Sequence, residues 1–251
     1  MCLIVFAWRP GHELPLIVAA NRDEFYRRPT QALGEWADCP GVFAGRDLQA
    51  GGTWLGVGPG NRFAALTNIR DPRQTLGDRS RGELVADFLR GSLGAETYLE
   101  RLRERIADYA GFNLLLGDGA QLWHLNSRAG RIGRLPAGVY GLSNADLDTP
   151  WPKLLRTRAG LAERLEEPTP AALLELLQDA APAADEALPD TGVGLATERL
   201  LSSPFIASAT YGTRASTVLI ADAQGRRELV ERRFGEGGRA LGEIRLQLPA
   251  A

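Results

Sequence analysis

The chain opens with two continuous apolar stretches, Leu3–Trp8 and Leu16–Ala20, separated by the turn cluster Pro10-Gly11-His12, a pattern that predicts a hairpin. Strands without a polar side are covered on both faces, which points to an inner layer of a multilayer fold. Short strand patterns follow at Gly41–Ala44, Thr53–Val57 and Phe63–Thr67, punctuated by Gly51-Gly52 and Gly58-Pro59-Gly60, as in an antiparallel sheet. The period then lengthens. Ser80-Arg81-Gly82-Glu83 has capping-box spacing ahead of a stripe of Leu84, Val85, Phe88 and Leu89, and Tyr98, Leu99, Leu102 and Ile106 repeat it, so two helices are predicted. Strand patterns return at Phe112–Gly117, Gln121–Leu125 and Val139–Leu142.

A helix is predicted from near Pro152 through Leu165 and another from Pro170 through Leu177, with proline in the first turn. Ala180–Gly194, rich in Ala, Pro and Asp, reads as a mobile loop. Strands close the chain at Ser216–Ala221, Glu228–Arg233 and Glu243–Leu248. Strands and helices in separate blocks argue for an α+β layered fold rather than a doubly wound sheet. With no internal repeat, residues 1–251 are expected to form one domain.

Composition narrows the function classes. Twenty-nine basic residues against 31 acidic ones give a formal charge of −2, which offers no electrostatic reason to expect a nucleic-acid partner. Every basic residue but Lys153 is arginine, read here as coding bias. No apolar run is long enough to cross a bilayer and no secretory signal pattern is visible, so a soluble, cytoplasmic protein is expected. Two cysteines without CxxC spacing suggest neither a zinc site nor a disulfide scaffold.

Chemistry is suggested by polar groups where strands are expected to end. Removal of Met1 would leave Cys2 with a thiol and a free α-amine on one residue; the amine titrates at roughly 7.7–8.0 and a thiol near about 8.5, so one residue supplies nucleophile and base. Asn21-Arg22-Asp23-Glu24 is expected at a sheet's end, just after the second strand, where functional loops collect; the plainer alternative is a turn whose charges pair with one another. At the sheet's end Arg22 would lower the thiol pKa or hold an anionic group, and Asp23 would hold the ammonium. Asn68 and Asn144 are candidate oxyanion donors, and Arg214 in Tyr211-Gly212-Thr213-Arg214 a candidate carboxylate anchor. Cys39, in a Pro-containing loop, is incidental on this reading. His12 and His124 are isolated and more suited to structural roles than to metal or haem ligation. Trp36, Trp54, Trp123 and Trp151 either line an apolar pocket or fill the core.

In order along the chain, Met-Cys-Leu, Asn21-Arg22-Asp23-Glu24, Gly51-Gly52-Thr53-Trp54-Leu55-Gly56, Ala65-Leu66-Thr67-Asn68, Gly141-Leu142-Ser143-Asn144 and Tyr211-Gly212-Thr213-Arg214 resemble the NRDE family, also called the transport and Golgi organisation protein 2 family. That family is similar to the N-terminal-nucleophile hydrolases, near the bile salt hydrolases and penicillin V acylases. The resemblance implies a four-layer αββα sandwich and a cysteine hydrolase of a non-peptide C–N amide bond in a small molecule. It places catalytic roles on Cys2, Arg22, Asp23, Asn68, Asn144 and Arg214, with no metal or resident cofactor. In those hydrolases two residues separate the Arg from the Asp, whereas Arg22 and Asp23 are adjacent here. The alternative implied by the resemblance is a haem-binding or haem-trafficking protein on the same scaffold, with Arg22 or Arg214 facing propionates.

Overall fold

A computed structural model describes residues 2–74 and 77–250; Met1 of the opening motif lies outside them. Six strands form the first sheet: β1 (Cys2–Trp8), β2 (Leu16–Phe25), β10 (Gly138–Leu142), β11 (Tyr211–Ala221), β12 (Arg227–Phe234) and β13 (Ala240–Leu248), in the order β10-β1-β2-β11-β12-β13. The second sheet runs in chain order through β3 (Thr30–Trp36), β4 (Cys39–Asp47), β5 (Leu55–Gly58), β6 (Arg62–Asn68), β7 (Phe112–Gly117), β8 (Leu122–Asn126) and β9 (Arg131–Arg134). All these pairings are antiparallel. Helices α1 (Gly82–Arg90) and α2 (Ala95–Arg103) cover the second sheet, and α3 (Pro152–Ala162) and α4 (Pro170–Leu176) cover the first. The arrangement is an αββα sandwich.

Side-chain alternation builds the layers. In β1, Ile4, Phe6 and Trp8 face the space between the sheets, while Val5 and Ala7 pack with Leu161 of α3 and Leu173 and Leu174 of α4. In β7, Leu115 faces inward, and Leu114 and Leu116 meet the helical stripe Leu84, Val85, Phe88 and Leu89. Both sides of these strands are therefore buried, as their unbroken apolar sequences require, and each fully buried large side chain stabilises the fold by about 1.5–3 kcal/mol.

Several elements differ from expectation. Asn21-Arg22-Asp23-Glu24 does not lie beyond the second strand. It continues β2, paired with β1 on one side and β11 on the other. Two flanking partners satisfy the backbone of these polar residues, and pairing outweighs their low strand propensity. Strands β3 and β9 and helix α5 (Leu195–Leu200) were not expected; β3 and β9 are edge strands rich in polar residues and glycine, which weakens the strand signal. The capping box is not formed. Arg81 occupies the cap position with helical dihedrals, while the Glu83 carboxylate accepts from the Tyr109 hydroxyl and pairs with Arg79. Cys39 begins β4, half-buried against the core under α1 and α2, rather than sitting in a loop. Within Ala180–Gly194 there is one 3-10 turn, Asp185–Ala187, and the segment is tied down where Ala183 N donates to Ser202 Oγ at 2.9 Å.

The glycine pair before β5 has a packing origin. A Cβ on Gly52 would lie 2.3 Å from Gly82 C and 2.5 Å from Gly82 O, both backbone atoms at the start of α1, and Thr53 N donates to the same carbonyl. Gly52→Ala is expected to lower stability by about 1–3 kcal/mol through overpacking. Gly133→Ala, with open space around the new methyl, should change stability by less than about 0.5 kcal/mol. Urea unfolding midpoints measure both.

Candidate active site

Strand register sets the floor of the site. Cys2 lies opposite Arg22, Arg22 opposite Ala215, and Ala215 opposite Arg233, a row across four neighbouring strands on the face between the sheets. There the apolar filling gives way to a cavity of about 880 Å³ whose wall includes Cys2, Arg22, Trp54, Asn68, Arg81 and Tyr211. Burial pushes the Cys2 thiol up, as does the charge of Asp23; the Arg22 guanidinium and the Asp23 backbone N–H oppose this by favouring the thiolate. The sulfur thus sits at the cavity wall beside charged groups and is not sealed in hydrocarbon.

Arg22 Nη1 donates to Thr30 Oγ1 at 3.2 Å and Arg81 Nη1 to the Gly111 carbonyl at 3.1 Å. Neither guanidinium forms an ion pair with a carboxylate among the described residues. Arg214 sits at a register shift in β11, and its Nη1 donates to the carbonyls of Phe25, Tyr26 and Arg28 at 2.9, 3.0 and 2.9 Å. It lines the cavity while clamping the turn after β2, so part of its donor set is committed to main chain.

The two asparagines meet, but differently from expectation. Asn144 Nδ2 donates to Asn68 O and Asn68 Oδ1, each at 3.0 Å. Asn144 therefore supports Asn68 rather than facing the main cavity; it lines a second cavity of about 690 Å³. Accepting through Oδ1 turns the Nδ2 end of Asn68 away from Asn144, which makes Asn68 the better oriented donor. The same stitching fixes Cys2: Ser143 Oγ donates to the Cys2 carbonyl at 3.1 Å, and Thr67 Oγ1 to the Ser143 carbonyl at 2.5 Å.

Adjacency in an extended strand sends Asp23 to the face opposite Arg22. Asp23 is buried on the helical side, where its Oδ1 accepts from Thr213 Oγ1 at 2.8 Å. Burial pushes this carboxyl up, and the charge of Lys153 is the strongest influence among the described residues holding it down. Lys153, in the first turn of α3, is likewise buried, and its ammonium is pushed down to about 8 by burial while Asp23 opposes. Beside them Arg70 Nη1 meets Glu198 Oε2 of α5 at 2.5 Å, and the Arg70 guanidinium lies 4.6 Å from the centroid of Trp151. Sequence reasoning missed Lys153, Arg70, Glu198, Thr213 and Arg81. For Lys153 there was a signal, its status as the single lysine of the chain.

The remaining aromatic and histidine candidates divide clearly. Trp54 lines the main cavity, whereas Trp36 is buried with Arg46 and Arg90 stacked on it, and Trp123 packs on the core of the second sheet. His12 is exposed in the first turn, accepting from Leu14 N at 3.0 Å, and His124 is buried in β8 beside Asn113 Oδ1 at 3.2 Å. Neither histidine is on the wall of the main cavity. No helix among the described residues is long and apolar enough to cross a membrane.

An αββα sandwich with a cysteine at the end of its first strand, facing a cavity between the sheets, is the class defined by fold and site. The family model described as Transport and Golgi organisation 2 matches residues 1–236, and the chain belongs to that family. The Bos taurus Transport and Golgi organization protein 2 homolog is 38% identical, with 92% of each chain covered. The Homo sapiens homolog is 34% identical and the Drosophila melanogaster Transport and Golgi organization protein 2 is 28% identical, each over 92% of this chain, covering 92% and 91% of theirs. Among solved structures, a Caenorhabditis elegans N-acylethanolamine-hydrolyzing acid amidase ortholog is similar over 87% of this chain and 92% of its own, with a TM-score of 0.49 and 11% identity.

His124 makes a pH prediction. Burial lowers its pKa to about 4, whereas an unfolded histidine titrates near about 6.5, so below that pH the unfolded chain binds the extra proton. The neutral histidine's contribution is complete above about pH 6.5 and is lost as pH falls toward 4, by about 3 kcal/mol. In His124→Gln that part of the loss should vanish, read as the difference between variant and parent urea stabilities at pH 7 and pH 4.5.

Proposed function

We propose that the protein is an N-terminal-nucleophile hydrolase of the cysteine type, cleaving a non-peptide C–N amide bond in a small molecule. The observation that carries this reading is Cys2 on the wall of the 880 Å³ cavity, paired with Arg22 and facing the backbone N–H of Asp23. Removal of Met1 frees the α-amine of Cys2. That amine takes the thiol proton as Sγ bonds to the amide carbonyl carbon, and the carbonyl electron pair moves onto oxygen. Asn68 Nδ2–H stabilises the oxyanion, held in orientation by Asn144. The oxyanion collapses, the C–N bond breaks, and the Cys2 ammonium gives its proton to the departing amine. Water then adds to the acyl-thioester with the amine as base, releasing a carboxylic acid and restoring the thiol.

Each residue has a graded part in this scheme. Arg22 opposes the burial that disfavours the thiolate, and faces an anionic portion of the substrate. Asp23, from the far side of the strand, holds the Cys2 amine. Arg214 shapes the cavity mouth by fixing the turn after β2.

The second reading treats haem as cargo. Arg22 and Arg81 on the cavity wall, without carboxylate ion pairs among the described residues, favour an anionic ligand, and propionates are one. The wall, however, carries no histidine among its described residues and, of the tryptophans, Trp54. A haem titration of the protein reads it directly: a Soret shift at micromolar protein supports the cargo reading.

An acyl-amide or electrophilic acyl probe should leave one adduct on Cys2 of the Met1-processed protein and none on Cys39, as mapped by peptide mass. Cys2→Ala should abolish the adduct, and Asn68→Ala should slow its formation about 10²–10³-fold. Absence of an adduct on chains whose intact mass shows Met1 removed would overturn the nucleophile reading.

A further inference from the structure

The helical side of the first sheet holds a group that the scheme above does not use. Lys153 is 2% exposed, and among the described residues its Nζ makes no hydrogen bond. Burying an ammonium without such bonds is costly. Its position adds to the cost, because the first turn of a helix presents N–H dipoles that repel a cation.

Packing locates that charge. Helix α3 lies across β1 and β10, with Leu154 over Gly141, where a Cβ would come within 2.5 Å of Leu154 Cδ2. Gly141 pairs with Val5 of β1, and Asp23 of neighbouring β2 and Cys2 of β1 both act on the Lys153 charge, which places residue 153 toward the end of β1 that begins with Cys2. The titratable groups that act on the Lys153 charge come from four elements: Asp23 from β2, Arg70 from the segment after β6, Cys2 from β1 and Glu198 from α5. Glu198 is already bound to Arg70 at 2.5 Å and to Thr191 N at 2.9 Å. Asp23 is left as the carboxylate for which Lys153 is the strongest opposing charge among the described residues.

We propose that Lys153 is a positioning residue whose ammonium keeps Asp23 ionised on the strand face opposite Arg22, at the edge of the cavity, so that Asp23 receives and orients the α-amine of Cys2. This rests on the N-terminal-nucleophile reading above. Lys153 is not on the cavity wall and does not touch substrate; it acts through Asp23.

Because Lys153 is the single lysine, protein grown on lysine labelled with carbon-13 at Cε gives one side-chain signal, whose titration reports this ammonium. The isosteric variant Asp23→Asn should lower its midpoint by about one pH unit or more. An unchanged midpoint overturns the pairing. A second measurement follows the pH profile of electrophile labelling at Cys2. Lys153→Met should move its midpoint and cut the rate at pH 7 about tenfold, corresponding to about 1.4 kcal/mol, while Lys153→Arg restores both. A rate reduced equally at every pH, with the midpoint unmoved, marks a merely structural lysine and overturns the positioning role. A lysine signal that responds to Asp23→Asn, together with no labelling of Cys2 in any form of the processed protein, overturns the nucleophile reading and the amine-positioning step with it, and leaves a buried ion pair.

Discussion

The pairing of β2 between β1 and β11 is the constraint on which the site depends. It extends a polar tetrapeptide as strand, and extension forces neighbours to opposite faces. Arg22 is thereby delivered to the cavity with Cys2, and Asp23 to the helical side with Thr213 and Lys153. Had these residues formed the turn that their composition suggests, both charges would have been solvated and neither held in register with the cysteine. The sheet therefore sends neighbouring side chains to different surroundings, Arg22 to the face of Cys2 and Asp23 to the buried charge network, while Asp23 still borders the cavity.

That network is expensive, and its organisation shows how the cost is met. Asp23, Lys153, Arg70 and Glu198 are all buried. The Arg70–Glu198 pair is closed by Thr191 and by the face of Trp151, so its desolvation is compensated locally. Asp23 has the Thr213 hydroxyl, and among the described residues Lys153 has no hydrogen-bond partner, an asymmetry that ties the lysine to the carboxylate by charge rather than by a fixed hydrogen bond. The second sheet contributes by a different route. Thr67, Asn68, Ser143 and Asn144 stitch the end of β6 to the segment after β10 and hold the Cys2 carbonyl, so the cysteine is positioned through its main chain while its sulfur faces the cavity.

Much of the scaffold was legible because its inner strands are apolar on both sides. Leu3–Trp8, Phe63–Thr67 and Phe112–Gly117 mark strands whose burial follows from sequence alone, and the stripe Leu84, Val85, Phe88, Leu89 marks the helix that covers them. Edge strands β3 and β9 escaped because one side is solvated and their glycines and charges read as loop. The expected capping box failed because the Glu83 carboxylate is taken by Tyr109, distant in sequence, and by Arg79, four residues upstream. Trp36, equally plausible as pocket or core from sequence, is core, since its strand turns it toward α1.

By itself, the sequence determined the order of strands and helices, their layered burial and the set of residues with chemistry to offer. Those follow from local periodicity and from residue type. Only the tertiary structure decided which of them meet: that Arg22 and Asp23 part to opposite faces, that Asn144 serves Asn68 instead of the cavity, that Arg214 grips the backbone after β2, and that a single lysine more than a hundred residues away lies beside Asp23. Such contacts are set by strand register and by the seating of α3 on β1 and β10. Neither leaves a mark on the local pattern of the chain, because each is a relation between segments and not a property of one.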